Sequence, residues 1–174
     1  MIAVLRLGHR VERDKRLTSH VGLVARAFGA DIMYYSGDRD ATVEQTVLEV
    51  SRSWGGSFKA EYVGSWRTIV KRWEGLKIHL TMYGIPLKQA VEEIRAHHKK
   101  GENLLVIVGG EKVDAEVFRL ADYNLSITSQ PHSEAAALAV FLDWLFEGEE
   151  LDRAFSDARL QVEPMARGKK LVRH

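Results

Sequence analysis

The sequence has no cysteine. That one absence removes disulfides, thiolate metal sites and cysteine nucleophiles together. A net charge of either sign is missing too: 25 Lys and Arg stand against 24 Asp and Glu, a formal +1. Bulk charge therefore does not announce a nucleic-acid binder. No apolar run approaches the roughly 20 residues that cross a bilayer. The opening MIAVLRLGHR has too short an apolar run for a secretory signal. A cytoplasmic protein without membrane contact is the expectation. Internal repeats, low-complexity tracts and linker-like stretches are lacking as well. So are HxxxH, HExxH, GxSxG, GxGxxG and phosphate-loop strings, which argues against a metal, a serine-hydrolase elbow and a dinucleotide or P-loop site.

What is present is the balance of a globular domain. The chain has 174 residues, 45% apolar and 28% charged, enough to bury a core and too apolar for disorder. Short apolar runs at 2–7, 31–35, 76–83, 104–108 and 123–128 read as buried strands. Helical patterns at 19–28, 41–54, 86–99, 114–120 and 131–146 alternate with them. This order predicts an α/β fold with a mainly parallel sheet flanked by helices. Residues 159–173 alternate only patchily around a glycine and predict a short hairpin or a tail.

Local charge says more than the total. Arg6, Arg10, Arg13, Lys15, Arg16 and Arg26 crowd the first thirty residues, and Arg167, Lys169, Lys170 and Arg173 close the chain without an acid. Two basic ends can form one face for a phosphate backbone. The plainer reading is two solvated surfaces.

Four segments carry candidate chemistry. In the first, Arg6-Leu-Gly-His-Arg10 leads through Thr18 or Ser19, as cap, into a helix burying Val21, Val24, Ala25 and Phe28. Gly22 and Gly29 flank Arg26 on the neighbouring row. A helical glycine costs about 1 kcal/mol relative to alanine, so the row predicts a close approach with Arg26 projecting. The alternative is an arginine lying over the core. His79–Gly84 ends a strong strand, the place where open α/β sheets hold ligands. Leu104–Val113 ends a buried strand in two glycines that let backbone amides come close. In 121–134 a strand passes through a polar loop into a helix, with Ser129 or Gln130 as cap and Pro131 in the first turn. Ala135, Ala136, Ala137 and Ala139 let that helix pack tightly.

These strings, with Ala166-Arg-Gly-Lys-Lys170, resemble the archaeal tRNA cytidine-56 2′-O-methyltransferases of the SPOUT superfamily, over almost the whole chain. The resemblance implies a single domain over 1–174 with a C-terminal trefoil knot, a homodimer, and S-adenosylmethionine as methyl donor for tRNA. It implies cofactor loops at 79–84, 108–113 and 127–134, with Leu80, Gly109, Gly110, Glu111, Lys112, Val113, Ile127, Thr128, Ser129, Gln130, Pro131, His132, Ser133 and Glu134 around the donor. It implies catalytic roles for Arg26 and His20, Arg26 serving the partner's cofactor. Here His20 replaces an asparagine, the step from Arg26 to Phe28-Gly29 is short, and of Pro131-His132-Ser133 only Ser133 matches the family's Asn-Val-Ser. RNA grip falls to Arg6, Arg10, Arg13, Lys15, Arg16, Arg167, Lys169 and Lys170. No metal is needed, because the methyl is already activated. The reaction requires the ribose oxygen about 3–3.5 Å from that methyl and charge stabilisation at the oxygen. Rival readings are a SPOUT methyltransferase acting on another nucleotide and a noncatalytic RNA-binding relative. A small-molecule nucleotide enzyme is the weakest.

Overall fold

The structure, a computed structural model, describes every residue except Glu111, and of Lys15 the backbone alone. Each apolar run becomes a strand: β1 (Ile2–His9), β2 (Ile32–Gly37), β4 (Leu76–Pro86), β5 (Leu104–Gly109) and β6 (Tyr123–Ser126). A further strand, β3 (Lys59–Tyr62), joins them in one sheet of order β3-β2-β1-β5-β4-β6. Every neighbouring pair in it is parallel. The connecting helices are α1 (Val11–Ala27), α2 (Ala41–Trp54), α3 (Trp66–Arg72), α4 (Leu87–Lys99), α5 (Ala115–Leu120) and α6 (Glu134–Phe146).

Alternation along the strands fills two layers. Val4, Ile78, Leu80, Val106 and Val108 pack with Val21 and Ala25 of α1, Val47 of α2, Val91 and Ile94 of α4, and Leu138 and Phe141 of α6. Ala3, Leu5, Leu7, Leu105 and Ile107 pack with Val70 of α3 and Val117 of α5. Buried on both faces, these strands read as unbroken apolar runs. β3 has only Ala60 buried between charged neighbours, so no such run marks it. Its parallel pairing with β2 makes it a strand.

Helix α1 begins at Val11, eight residues before the expected start at 19. Thr18 and Ser19 therefore do not cap it. Thr18 is buried mid-helix with its Oγ1 2.8 Å from Nδ1 of His9. The orphan N–H of Val11 donates to Asp38 Oδ2 at 3.1 Å, a cap supplied from across a loop and invisible locally. Helix α6 likewise starts at Glu134 rather than 131, with Ser133 Oγ accepting from Ala136 N at 3.1 Å. Ser129 and Gln130 stay in the loop.

The glycine row makes the close approaches expected of it. A Cβ on Gly22 would meet Val47 at 2.8 Å and Met33 at 3.0 Å, and one on Gly29 would meet Arg153 at 2.7 Å and Phe146 at 2.9 Å. Both close approaches are to this chain's own α2, β2, α6 and C-terminal segment.

Strand β4 meets β6 twice. Leu80 pairs with Leu125, and after a shift Ile85 pairs with the same Leu125 and Pro86 with Ser126. Residues 81–84 loop out between. Gly84 ends that loop where a Cβ would stand 2.3 Å from the Asn124 carbonyl oxygen, so only glycine lies this close. The chain closes with an antiparallel hairpin, β7 (Leu160–Glu163) and β8 (Lys170–Arg173). Among the described residues no helix is long and apolar enough to cross a membrane.

Candidate active site

Two cavities open at the carboxyl ends of the strands, and they share a wall. The first, about 460 Å³, is lined by His79, Leu80 and the looped-out Thr81, Met82 and Tyr83 of β4, by Val108, Gly109, Gly110 and Val113 after β5, and by Phe118, Pro131, His132, Glu134 and Ala137. The second, about 630 Å³, is lined by Arg6, Gly8, His9, Arg10, Arg13, Ser36, Asp38, Trp66, Lys112 and Asp114 among others. Gly110 and Val113 line both.

Parallel strands ending together create the first cavity: β5 stops in two glycines and β4 swings away to its second meeting with β6. A Cβ on Gly109 would lie 2.6 Å from Val113 Cγ2, so the backbone there reaches the cavity bare. At its floor His79 is 1% exposed. Nδ1–H of His79 donates to Asn124 Oδ1 at 2.9 Å, and Asn124 Nδ2 donates to the Phe118 carbonyl at 2.9 Å, which fixes the amide and hence the tautomer. Burial lowers the His79 pKa from its ordinary value, with the Asn124 hydrogen bond opposing. Nε2 is left as a buried acceptor without a hydrogen-bond partner. An apolar cradle of this volume with bare glycine backbone and a polar floor fits a nucleoside-sized donor.

Arg6 lines the second cavity beside Glu134 of the first. It is 1% exposed, its Nη2 lies 3.5 Å from Glu134 Oε1 and 3.9 Å from Asp14 Oδ2, and its Nη1 donates to the Leu7 carbonyl. Burial lowers its pKa, against the pull of Glu134 and Asp14. Arg6 was expected on the surface for RNA; the fold instead buries it as a tie between β1, α1 and α6. Arg10 and Arg13 are exposed and line the second cavity. Arg10 also holds Asp14 at 3.0 Å. His9 lies between Thr18 and Asp40, with Nε2 3.5 Å from Asp40 Oδ2.

The expected site residues divide accordingly. Leu80, Gly109, Gly110, Val113, Pro131, His132 and Glu134 line the first cavity. Lys112 lines the second. Ile127 packs against the core, Ser133 caps α6, and Thr128, Ser129 and Gln130 are exposed in the loop that carries His132. Glu111 and the Lys15 side chain fall outside the described residues. Arg16 and His20 are exposed on α1 and line neither cavity. Arg167, Lys169 and Lys170 are exposed at the hairpin.

Arg26 does not project. It is 8% exposed, Nη2 donates to the Gly55 carbonyl at 2.6 Å, and the guanidinium lies 4.8 Å from the centroid of Phe155. Burial lowers its pKa, with Asp157 raising it and Arg153 lowering it. It pins the segment before the hairpin to the loop after α2. Sequence reasoning missed Phe118 and Ala137 in the first cavity and Ser36, Asp38 and Trp66 in the second, while Gly8 and His9 of the second lie in the first candidate segment. The amphipathic face of α5 was a usable signal for Phe118. Nothing local marked the others, which come together only through the sheet order.

Comparison with known proteins agrees with this architecture. The family model described as tRNA ribose 2'-O-methyltransferase, aTrm56, matches residues 54–172. A protein of Pyrococcus horikoshii named tRNA (cytidine(56)-2'-O)-methyltransferase is 52% identical over 99% of this chain and 85% of its own. One of the same name from Methanopyrus kandleri is 56% identical over 98% of this chain and 95% of its own. Among solved structures, the SpoU methyltransferase AviRb from Streptomyces viridochromogenes, in complex with the cofactor AdoMet, has a TM-score of 0.61 at 16% identity, covering 88% of this chain and 59% of that one. The A. aeolicus TrmH/SpoU tRNA modifying enzyme has a TM-score of 0.59 at 15% identity, covering 86% of this chain and 76% of that one. Those two likenesses establish a shared fold. With the family match and the close archaeal relatives, the chain belongs to the tRNA ribose 2′-O-methyltransferase family aTrm56.

Proposed function

We propose that this chain methylates the ribose 2′-oxygen of cytidine 56 in tRNA, with S-adenosylmethionine as donor. The observation that carries the reading is the shared wall: a donor-sized cavity and a cation-lined cavity that meet at Gly110 and Val113. The donor belongs in the first cavity, held by the bare backbone at Gly109 and Gly110, the loop 81–83, and Pro131 and His132. It supplies a methyl group already activated on a sulfonium. The chain's own work is to hold the ribose hydroxyl against that methyl and to exclude competing water. Arg10, Arg13 and Lys112 give the second cavity the positive lining that a ribose–phosphate unit requires, and Trp66 offers an aromatic wall for a base.

Three further points belong to the same proposal. Residues 1–174 form one methyltransferase domain acting in the cytoplasm on tRNA. The trefoil knot lies where β4 returns to β6, and the double pairing at Leu125 supports it. The chain works as a homodimer through α6, whose Ala136, Val140 and Trp144 leave an exposed apolar row four residues apart on a helix also apolar on its buried side. A labelled methyl-transfer assay on unmodified tRNA, followed by nucleoside mapping, tests the proposal. Label in a 2′-O-methylcytidine at position 56 is the expected result. Label elsewhere moves the chain to the rival nucleotide reading, and donor binding without transfer fits the noncatalytic one.

A further inference from the structure

Glu134 stands where the two cavities meet. Its Oε1 is 3.5 Å from Arg6 Nη2 and 3.5 Å from the place a Cβ on Gly110 would occupy. Glu134 lines the first cavity, Arg6 the second, and Gly110 both. The carboxylate is held from two sides. It sits in the first turn of α6, where the helix dipole favours an anion. The buried guanidinium of Arg6 stays protonated and fixes it by charge.

We infer that Glu134 is a catalytic residue: its carboxylate accepts the proton of the ribose 2′-hydroxyl. This rests on the methyl-transfer reading above. The 2′-oxygen forms its bond to the methyl carbon while the carbon–sulfur bond breaks, and that bonding pair stays on sulfur as a neutral thioether. The hydroxyl proton passes to Glu134 Oε and from there to solvent. A positive sulfonium and a negative carboxylate disappear together, a change that a low-dielectric wall favours.

The other titratable groups nearby are engaged or displaced. His9 has Thr18 at Nδ1 and Asp40 at Nε2. Asp38 accepts from Val11 N and Asp114 from Glu116 N. His132 sits on the exposed loop, with Nδ1 2.7 Å from the Gln130 carbonyl; it lines the first cavity, as Glu134 does, but Glu134 alone of the two is paired with Arg6 of the second. Arg26 lines neither.

The test uses the full chain, tRNA transcript and S-adenosylmethionine. Glu134→Gln is expected to lower kcat by roughly 10²–10⁴-fold, and to remove the acid limb expected of the wild-type pH–rate profile. Calorimetric affinity for S-adenosylmethionine should stay within about threefold, under 1 kcal/mol. Glu134→Asp keeps the charge beside Arg6, so it should fold, bind the donor and still lose kcat through its shorter reach. Donor affinity that falls in step with kcat would overturn the inference, since the carboxylate then holds the donor. So would full kcat in Glu134→Asp and Glu134→Gln, or an acid limb that survives Glu134→Gln and vanishes in His132→Gln. A wild type that binds donor yet transfers nothing would overturn the methyl-transfer reading itself, and this assignment with it.

Discussion

The His79 ring illustrates what a buried titratable residue does to stability. Its pKa lies below the ordinary 6.5 because burial disfavours the charged form. Below that pH the unfolded chain takes up the proton first, so stability is complete above about 6.5 and is lost as pH falls. Thermal midpoints measured from pH 7.5 to 5 should decline in the wild type and decline less steeply in His79→Asn. Glu150 has the opposite sign. It is 6% exposed, and burial with the neighbouring Asp143 raises its pKa above 4.5. Its contribution is complete at low pH and is lost as pH rises through the folded value. Glu150→Gln should therefore raise the midpoint at pH 7 by a few degrees, roughly 1 kcal/mol for a chain of this length, and give nothing at pH 4. Arg26→Ala removes the Gly55 hydrogen bond and the contact with Phe155. It should cost about 1–3 kcal/mol in denaturant unfolding and expose 153–159 to protease, with donor affinity unchanged. A kcat loss at unchanged stability would give Arg26 the catalytic role the resemblance implies.

Among the elements, β4 decides the site. Its residues 81–83 form one side of the first cavity only because the chain comes back to pair with β6 at Leu125. Gly84→Ala would put a methyl within 2.3 Å of the Asn124 carbonyl, and backbone at both ends of that contact has little room to move. The loop must shift, and S-adenosylmethionine affinity should fall at least about tenfold, or 1.4 kcal/mol, by titration calorimetry. Helix α1 matters in another way. Its charged opening Glu12-Arg13-Asp14-Lys15-Arg16 looks like a loop, yet Asp14 is buried against Arg6 and Arg10. Folding it as helix sets Arg10 and Arg13 over the second cavity.

Over the whole molecule, two basic regions lie apart in sequence: the mouth of the second cavity and the terminal hairpin. A two-stranded hairpin is marginal alone. This one is tied to the body by Arg159 N donating to the Ser53 carbonyl at 3.0 Å and Gly56 N donating to Asp157 at 2.9 Å. Removing 160–174 should leave donor binding intact and flatten the salt dependence of tRNA affinity, if Arg167, Lys169 and Lys170 meet phosphates. Arg13→Ala and Lys112→Ala should each lower the log–log salt slope by about 1. Filter binding across a salt series measures both.

By itself the sequence determined five of the six strands of the sheet, because residues buried on both sheet faces must be apolar in unbroken runs. It determined α2 to the residue, Ala41–Trp54, because Asp40 caps it locally through Thr42 N. Through resemblance it also pointed to the loops that line the first cavity. Tertiary structure decided the rest. The start of α1 depends on an aspartate 27 residues away. β3 exists only by pairing, Arg26 was turned inward by a distant phenylalanine, and Arg6 with Glu134 became neighbours across 128 residues of chain. Local pattern records burial and capping within a few residues; sheet order decides which strand ends share a cavity.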